Sequence, residues 1–195
     1  MTERPAGLEP RPLRVPVILG TARKGRMSAH AAAFVVGELQ KRAGVLTELI
    51  DVATVPVRLD ENGEGTADFA FGEAMRFADA VVLVSPEYNH AMPGLLKHVL
   101  DSCLKEYIHK AVGIVAVSAG PFGGTRVIET SLPVLRELGL VAIFWDVNVG
   151  SVAKVFGESG ELLDQALVRR TDKFLGELLW MAKTLRHGRE NIPLQ

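Results

Sequence analysis

Two uninterrupted apolar runs constrain this chain more than any other feature. Ala80–Val84 (AVVLV) and Val112–Val117 (VGIVAV) show no alternation of apolar and polar residues. A strand with one wet face would alternate. Runs of this kind suit a parallel sheet covered by helices on both faces. Both lead straight into turn-forming stretches, SPEYNHAMPG and SAGPFGG. Between them, Gly94–Tyr107 reads as a helix, with Pro93 near its start.

The same alternation extends in both directions. Arg14–Leu19 is a strand candidate ending at Gly20, and Leu46–Val52 is a second. Ser28–Arg42 carries Ala31, Phe34, Val35 and Leu39 on one helical face. Asp68–Phe77 reads as a helix, after a polar loop over Pro56–Gly65. Thr125–Leu138 reads as a helix interrupted or kinked near Pro133. Val141–Val147 is a fifth strand candidate, and Glu161–Leu185 a long closing helix. The pattern predicts a doubly wound α/β sheet. The length of 195 residues fits a single domain, expected over 14–195. Residues 1–13 (MTERPAGLEPRPL), rich in proline and charge, read as a loose arm.

Charge and cysteine usage narrow the function. Lys and Arg number 22 against 23 Asp and Glu, so the net charge is -1. That balance argues against nucleic acid or an anionic membrane as the main partner. No apolar run approaches the ~20 residues of a membrane-spanning helix. Cys103 is the only cysteine, which excludes an intramolecular disulfide and a cysteine-rich zinc site. The histidines show no metal-ligand spacing, so no metal is expected. A soluble cytoplasmic protein is the expectation.

In doubly wound sheets, ligands bind outside the carboxyl ends of the strands. The first such loop is Gly20-Thr21-Ala22-Arg23-Lys24-Gly25-Arg26-Met27-Ser28. A helix start offers amide groups and a dipole to an anion. Arg23 and Arg26 add charge, and Thr21 and Ser28 add hydroxyls. The loop has the glycine spacing of GxxxxGK[ST], but Arg26-Met27 stand where Lys and a hydroxyl are required. The second loop, from Ser85 to Gly94, is stiffened by two prolines, and Tyr88 offers it a flat face. His90 is a candidate acid or base. The third loop, Ser118-Ala119-Gly120-Pro121-Phe122-Gly123-Gly124, lets backbone approach a ligand closely. It also yields a rival reading. Ala116–Gly120 is one residue from the GxSxG nucleophile elbow, with Asp146 or Asp164 and then His187 in hydrolase order.

Taken together, the three loops resemble the NADPH-dependent FMN reductase family of flavodoxin-like flavoproteins. Pro86-Glu87-Tyr88-Asn89-His90-Ala91-Met92-Pro93-Gly94-Leu95-Leu96-Lys97, followed by Leu100-Asp101, is similar to the family's PEYNxSxPGxLKNxxD signature. The first loop resembles its GSxRKxSxN phosphate loop, with Arg26 and Ser28 where Ser and Asn are typical. The resemblance implies a five-stranded sheet in the order 2-1-3-4-5, with FMN at its carboxyl edge. Thr21, Arg23, Arg26, Met27 and Ser28 would surround the phosphate. Pro86, Glu87, Tyr88 and Asn89 would line the isoalloxazine ring. Ser118, Ala119, Gly120, Gly123 and Gly124 would approach its other polar edge. The implied activity is two-electron transfer from NADPH or NADH, through FMN, to a quinone, azo compound, flavin or metal oxyanion. A homodimer or homotetramer is implied, and no side chain need act as a catalytic acid or base. A flavodoxin-type electron carrier is the alternative, though such carriers are usually strongly acidic.

Overall fold

The computed structural model describes residues 11–62, 65–66 and 68–194. Its centre is a sheet of six parallel strands: β1 (Val17–Leu19), β2 (Leu49–Asp51), β3 (Ala80–Pro86), β4 (Lys110–Val117), β5 (Leu140–Ala142) and β6 (Val147–Val149). The order across the sheet is β2-β1-β3-β4-β6, and β5 pairs with the first half of β4. The helices are α1 (Ser28–Gln40), α2 (Phe69–Phe77), α3 (Gly94–Asp101), α4 (Thr125–Glu137), α5 (Val152–Val155) and α6 (Ala166–Asn191).

Side chains alternate across a strand, so each apolar run feeds two cores at once. Val82 and Val84 of β3, with Val115 and Val117 of β4, face α1 and α6, meeting Ala31, Val35, Phe174 and Leu178. Val81, Leu83, Ile114 and Ala116 face the other way, meeting Met75 of α2, Leu96 and Leu100 of α3, and Val127 and Leu135 of α4. This two-sided burial explains why neither run alternates in polarity. Gly113 is the one gap in β4. A Cβ there would lie 2.5 Å from the Phe174 ring, so the missing side chain is what seats α6 on the sheet.

Several boundaries differ from the expectation. The first strand is short because Pro16 separates it from Leu13–Arg14, which pairs instead with Val45–Leu46. The helix expected over Gly94–Tyr107 stops at Asp101. Helix α4 continues through Pro133 without interruption. The fifth strand is divided into β5 and β6. Between them the Phe144 amide donates to Glu177 Oε1 at 3.0 Å, away from the sheet. The exposed Phe144 and Trp145 rings then meet edge to face, with Lys173 Nζ 3.3 Å from the Trp145 ring centre. The closing helix begins later than expected, at Ala166, and α5 precedes it. Residues 1–10 of the expected arm lie outside the described residues. Of its remainder, Leu13 is buried and Arg11 is bonded to Asp79 at 2.7 and 2.9 Å, so the chain is held before residue 14. Among the described residues, no helix is long and apolar enough to cross a membrane.

Candidate active site

The strands β1, β3, β4 and β6 deliver their following loops to one edge of the sheet. There they enclose a cleft of ≈ 340 Å³ lined by the first loop from Arg23 to Ser28, by Pro86–Tyr88, by Val117–Ala119 and by Val152.

The first loop is fixed to its neighbours at three points. Gly20 N–H donates to the Val84 carbonyl at 2.9 Å, and a Cβ on Gly20 would stand 2.7 Å from Leu96. Thr21 is buried, with its hydroxyl 2.9 Å from the Tyr88 hydroxyl. The Arg26 guanidinium bridges the Thr21 carbonyl and the Asp51 carboxylate at the end of β2. Arg26 therefore braces the loop, and its guanidinium is already engaged. Arg23 is different. It is exposed, lines the cleft and makes no ion pair among the described residues.

The start of α1 completes this wall. Met27 caps the helix without a side-chain bond, and the amides of Gly25, Met27 and Ser28 have no acceptor among the described residues. Ser28 is 3% exposed, and its Oγ has no partner among the described residues. A buried hydroxyl left unpaired costs free energy unless a ligand satisfies it. Unpaired amides, an unpaired hydroxyl and a free guanidinium at a helix start together fit a phosphate group.

The second loop is a tight hairpin. Tyr88 and Ala91 exchange two backbone hydrogen bonds, at 2.9 and 3.0 Å. Its two central residues, Asn89 (φ 49) and His90 (φ 67), are both left-handed. Residues outside glycine adopt this conformation at a cost. The turn holds Tyr88 toward the first loop and sends Asn89 and His90 to an exposed tip. Both are exposed, and neither Asn89, expected at the ring, nor His90 is among the residues that line the cleft. Glu87 lines the cleft. Its carboxylate accepts from the Arg126 amide at 3.2 Å and pairs with the Arg126 guanidinium at 3.3 Å. That places a negative charge at the start of α4, where the helix dipole favours it.

The third loop is tied to the chain after β6. Ser118 N–H donates to Val149 O, Val152 N–H to Ser118 O and Ser151 N–H to Gly120 O, at 2.8–3.1 Å. Ser118 and Ala119 line the cleft. Gly120 lies beside them with open space where a Cβ would be. Gly123 and Gly124 serve packing instead. Their φ values are 62 and 74, and their Cβ atoms would stand 2.7 Å from Asn148 and 2.9 Å from Ala116.

The hydrolase arrangement does not form. Ser118 Oγ donates to the Gly120 carbonyl at 2.8 Å. His187 lies near the end of α6 against Asn191, in the last turns, where Arg189 reaches Asp79 at the opposite edge of the sheet. Asp164 pairs with Arg170. Sequence reasoning missed Asp51 and Val152. Asp51 carried a usable signal, a carboxylate ending the strand beside a cationic loop. Val152 carried none, because the chain after β6 gave no motif.

Residues 13–154 match the family described as NADPH-dependent FMN reductase. This chain belongs to that family. The chain is 30% identical over 177 residues to a quinone reductase of Escherichia coli K12, covering 85% of this chain and 92% of that protein. It is 30% identical over 154 residues to an NADPH azoreductase of Bacillus sp. strain OY1-2, covering 76% and 83%. A flavoenzyme NAD(P)H:(acceptor) oxidoreductase from Paracoccus denitrificans shares the fold, with a TM-score of 0.72 at 18% identity over 87% of this chain and 98% of that one. A short-chain flavodoxin also shares it, with a TM-score of 0.59 at 18% identity, 87% and 99% being covered. The α/β fold is thus shared with an oxidoreductase and a flavodoxin alike, whereas the sequence relatives named above are reductases.

Proposed function

We propose that this member of the family passes electrons from NADPH or NADH to a quinone or azo compound, with FMN seated in the cleft between the three loops. The observation that carries this reading is the junction of the unpaired α1 start, at Ser28, with the Tyr88 hairpin. One end is suited to a phosphate and the other to a flat ring.

FMN, when bound, supplies the hydride chemistry, accepting two electrons from a nicotinamide and yielding them to the acceptor. The chain supplies position and electrostatics. Arg23, Ser28 and the amides of Gly25 and Met27 would hold the phosphate. Arg26 acts through Thr21 and Asp51, keeping the loop in register. Pro86, Glu87 and Tyr88 would form one wall for the ring, fixed by the hairpin behind them. The amides of Ala119 and Gly120 would present donors to developing negative charge. Glu87 is held by Arg126, so it is assigned no proton-transfer role. The proposal includes a single domain over 14–195 with Arg11–Leu13 packed onto it, a homodimer or homotetramer, and a cytoplasmic setting.

The visible spectrum of the purified protein, followed by NADPH oxidation with and without a quinone, tests the reading. Bound FMN and quinone-stimulated turnover are expected. A colourless protein that neither shifts nor quenches added FMN would refute the cofactor site. Bound FMN with slow oxidation indifferent to quinone would identify a carrier instead.

A further inference from the structure

The opposite edge of the sheet carries a second concentration of positive charge, unrelated to the flavin cleft. Its hub is Asp79, fully buried just before β3. Asp79 accepts from Arg11 at 2.7 and 2.9 Å, from Arg189 at 3.1 Å and from the Arg14 amide at 3.1 Å. Arg186 stands 3.8 Å away. One carboxylate thus serves three guanidinium groups. Glu190, 3.5 Å from Arg11, and Glu73, paired with Arg76, are further acids here.

Two further cations at this edge have no carboxylate partner among the described residues. Lys110 opens β4 and is only 6% exposed. Its Nζ donates to the carbonyls of Met75 and Arg76, at 2.6 and 2.7 Å, at the end of α2. An ammonium has three donors, so one remains. Burial, with Arg189 and Arg11 nearby, pulls the Lys110 pKa down to about 8, against the opposing pull of Asp79 and Glu106. Arg14 also lacks an ion pair. Its guanidinium lies 5.5 Å from the Phe77 ring centre, and Arg76, paired with Glu73, lies 4.5 Å from the same ring. The aromatic ring props both side chains in place.

These groups surround a cavity of ≈ 410 Å³ lined by Arg11, Arg14, Arg76, Lys110, Arg189 and Glu190, with Phe77 and Ala78. That volume falls in the range of small-molecule sites, roughly 300–1,000 Å³. We propose that this cavity binds a phosphate or diphosphate group, bonded by the uncommitted donors of Arg14 and Lys110, with Arg11 and Arg189, already engaged by Asp79, adding positive field. Guanidinium forks match phosphate oxygens two at a time. The surplus of positive charge calls for a multiply charged anion rather than a single carboxylate. The cavity sits between the first described residues and the last turns of α6, so occupancy would tie the two ends of the described chain together.

Calorimetric titration of pyrophosphate into the FMN-saturated protein, at constant ionic strength, tests the proposal. Saturation with FMN keeps the first loop from contributing. Saturable binding of one pyrophosphate per chain is expected, weakened roughly tenfold by Arg14→Gln and by Lys110→Met, as for loss of one charge-assisted bond. FMN affinity and NADPH oxidation should not change in either variant. Arg14→Gln removes no ion pair, so it remains informative if Lys110→Met fails to fold. Absence of saturable heat in the unaltered protein, or equal affinity in Arg14→Gln, would overturn the proposal.

Discussion

The hydroxyl of Thr21 lies 2.9 Å from the hydroxyl of Tyr88, joining the loop after β1 to the loop after β3. These residues are separated by 67 positions in sequence, so the contact exists only once β1 and β3 are neighbours. Tyr88→Phe removes it while keeping the ring. Loss of one such hydrogen bond costs about 1 kcal/mol. The expected result is a slightly lower melting temperature and FMN affinity weakened several-fold. Thermal unfolding and flavin fluorescence titration read the two effects.

Arg23 supplies the uncommitted charge at the start of α1. Arg23→Ala should weaken FMN binding about ten- to a hundredfold, since a charge-assisted bond is worth ~1.5–3 kcal/mol. Riboflavin, which lacks the phosphate, should bind both forms equally. Equal losses for FMN and riboflavin would remove Arg23 from the phosphate site.

Arg26 and Asp51 act as one brace. Arg26→Met and Asp51→Asn should each weaken FMN binding about five- to tenfold, and the double variant should lose little more, because both changes break one interaction. Additive losses in FMN titrations would show that Arg26 contacts the ligand independently of Asp51.

Gly123 is left-handed and packed against Asn148. Gly123→Ala should destabilise the fold by roughly 1–3 kcal/mol, combining backbone strain with overpacking. Gly120→Ala, with open space at its Cβ position, should leave stability nearly unchanged. Urea denaturation of the two variants checks the contrast.

Burial pushes the Asp146 carboxyl up to about 6, from an ordinary 3.8. The folded protein therefore holds a proton that the unfolded chain releases between those values. Its contribution is full below pH 3.8 and lost as the pH rises through about 6. Asp146→Asn escapes this loss. It should raise the melting temperature at pH 8 and give little gain at pH 4. An equal gain at both pH values would contradict a half-buried, proton-holding carboxyl.

Much of the architecture was legible because burial on both faces leaves a direct mark. Ala80–Val84 and Val112–Val117 could not be read as one-sided strands, and both are central. The fifth strand was misread because its interruption is tertiary. Glu177 on α6 draws the Phe144 amide out of the sheet, and nothing local to Val141–Val147 announces this. The site divided along the same line. Residue types in the first loop announced an anion site, but not which cation was free.

By itself, the sequence determined the alternation of strands and helices, the loops that carry the chemistry and the family, because hydrophobic period and loop composition are local properties. Only the tertiary structure decided the division of labour among those residues. It set Arg26 against Asp51 and left Arg23 free, turned Asn89 out to a hairpin tip, placed His187 at the far edge from Ser118, and gathered Arg11, Arg14, Lys110 and Arg189 around one cavity. Each outcome depends on distances between groups remote in the chain, and those distances are set by how the strands pack.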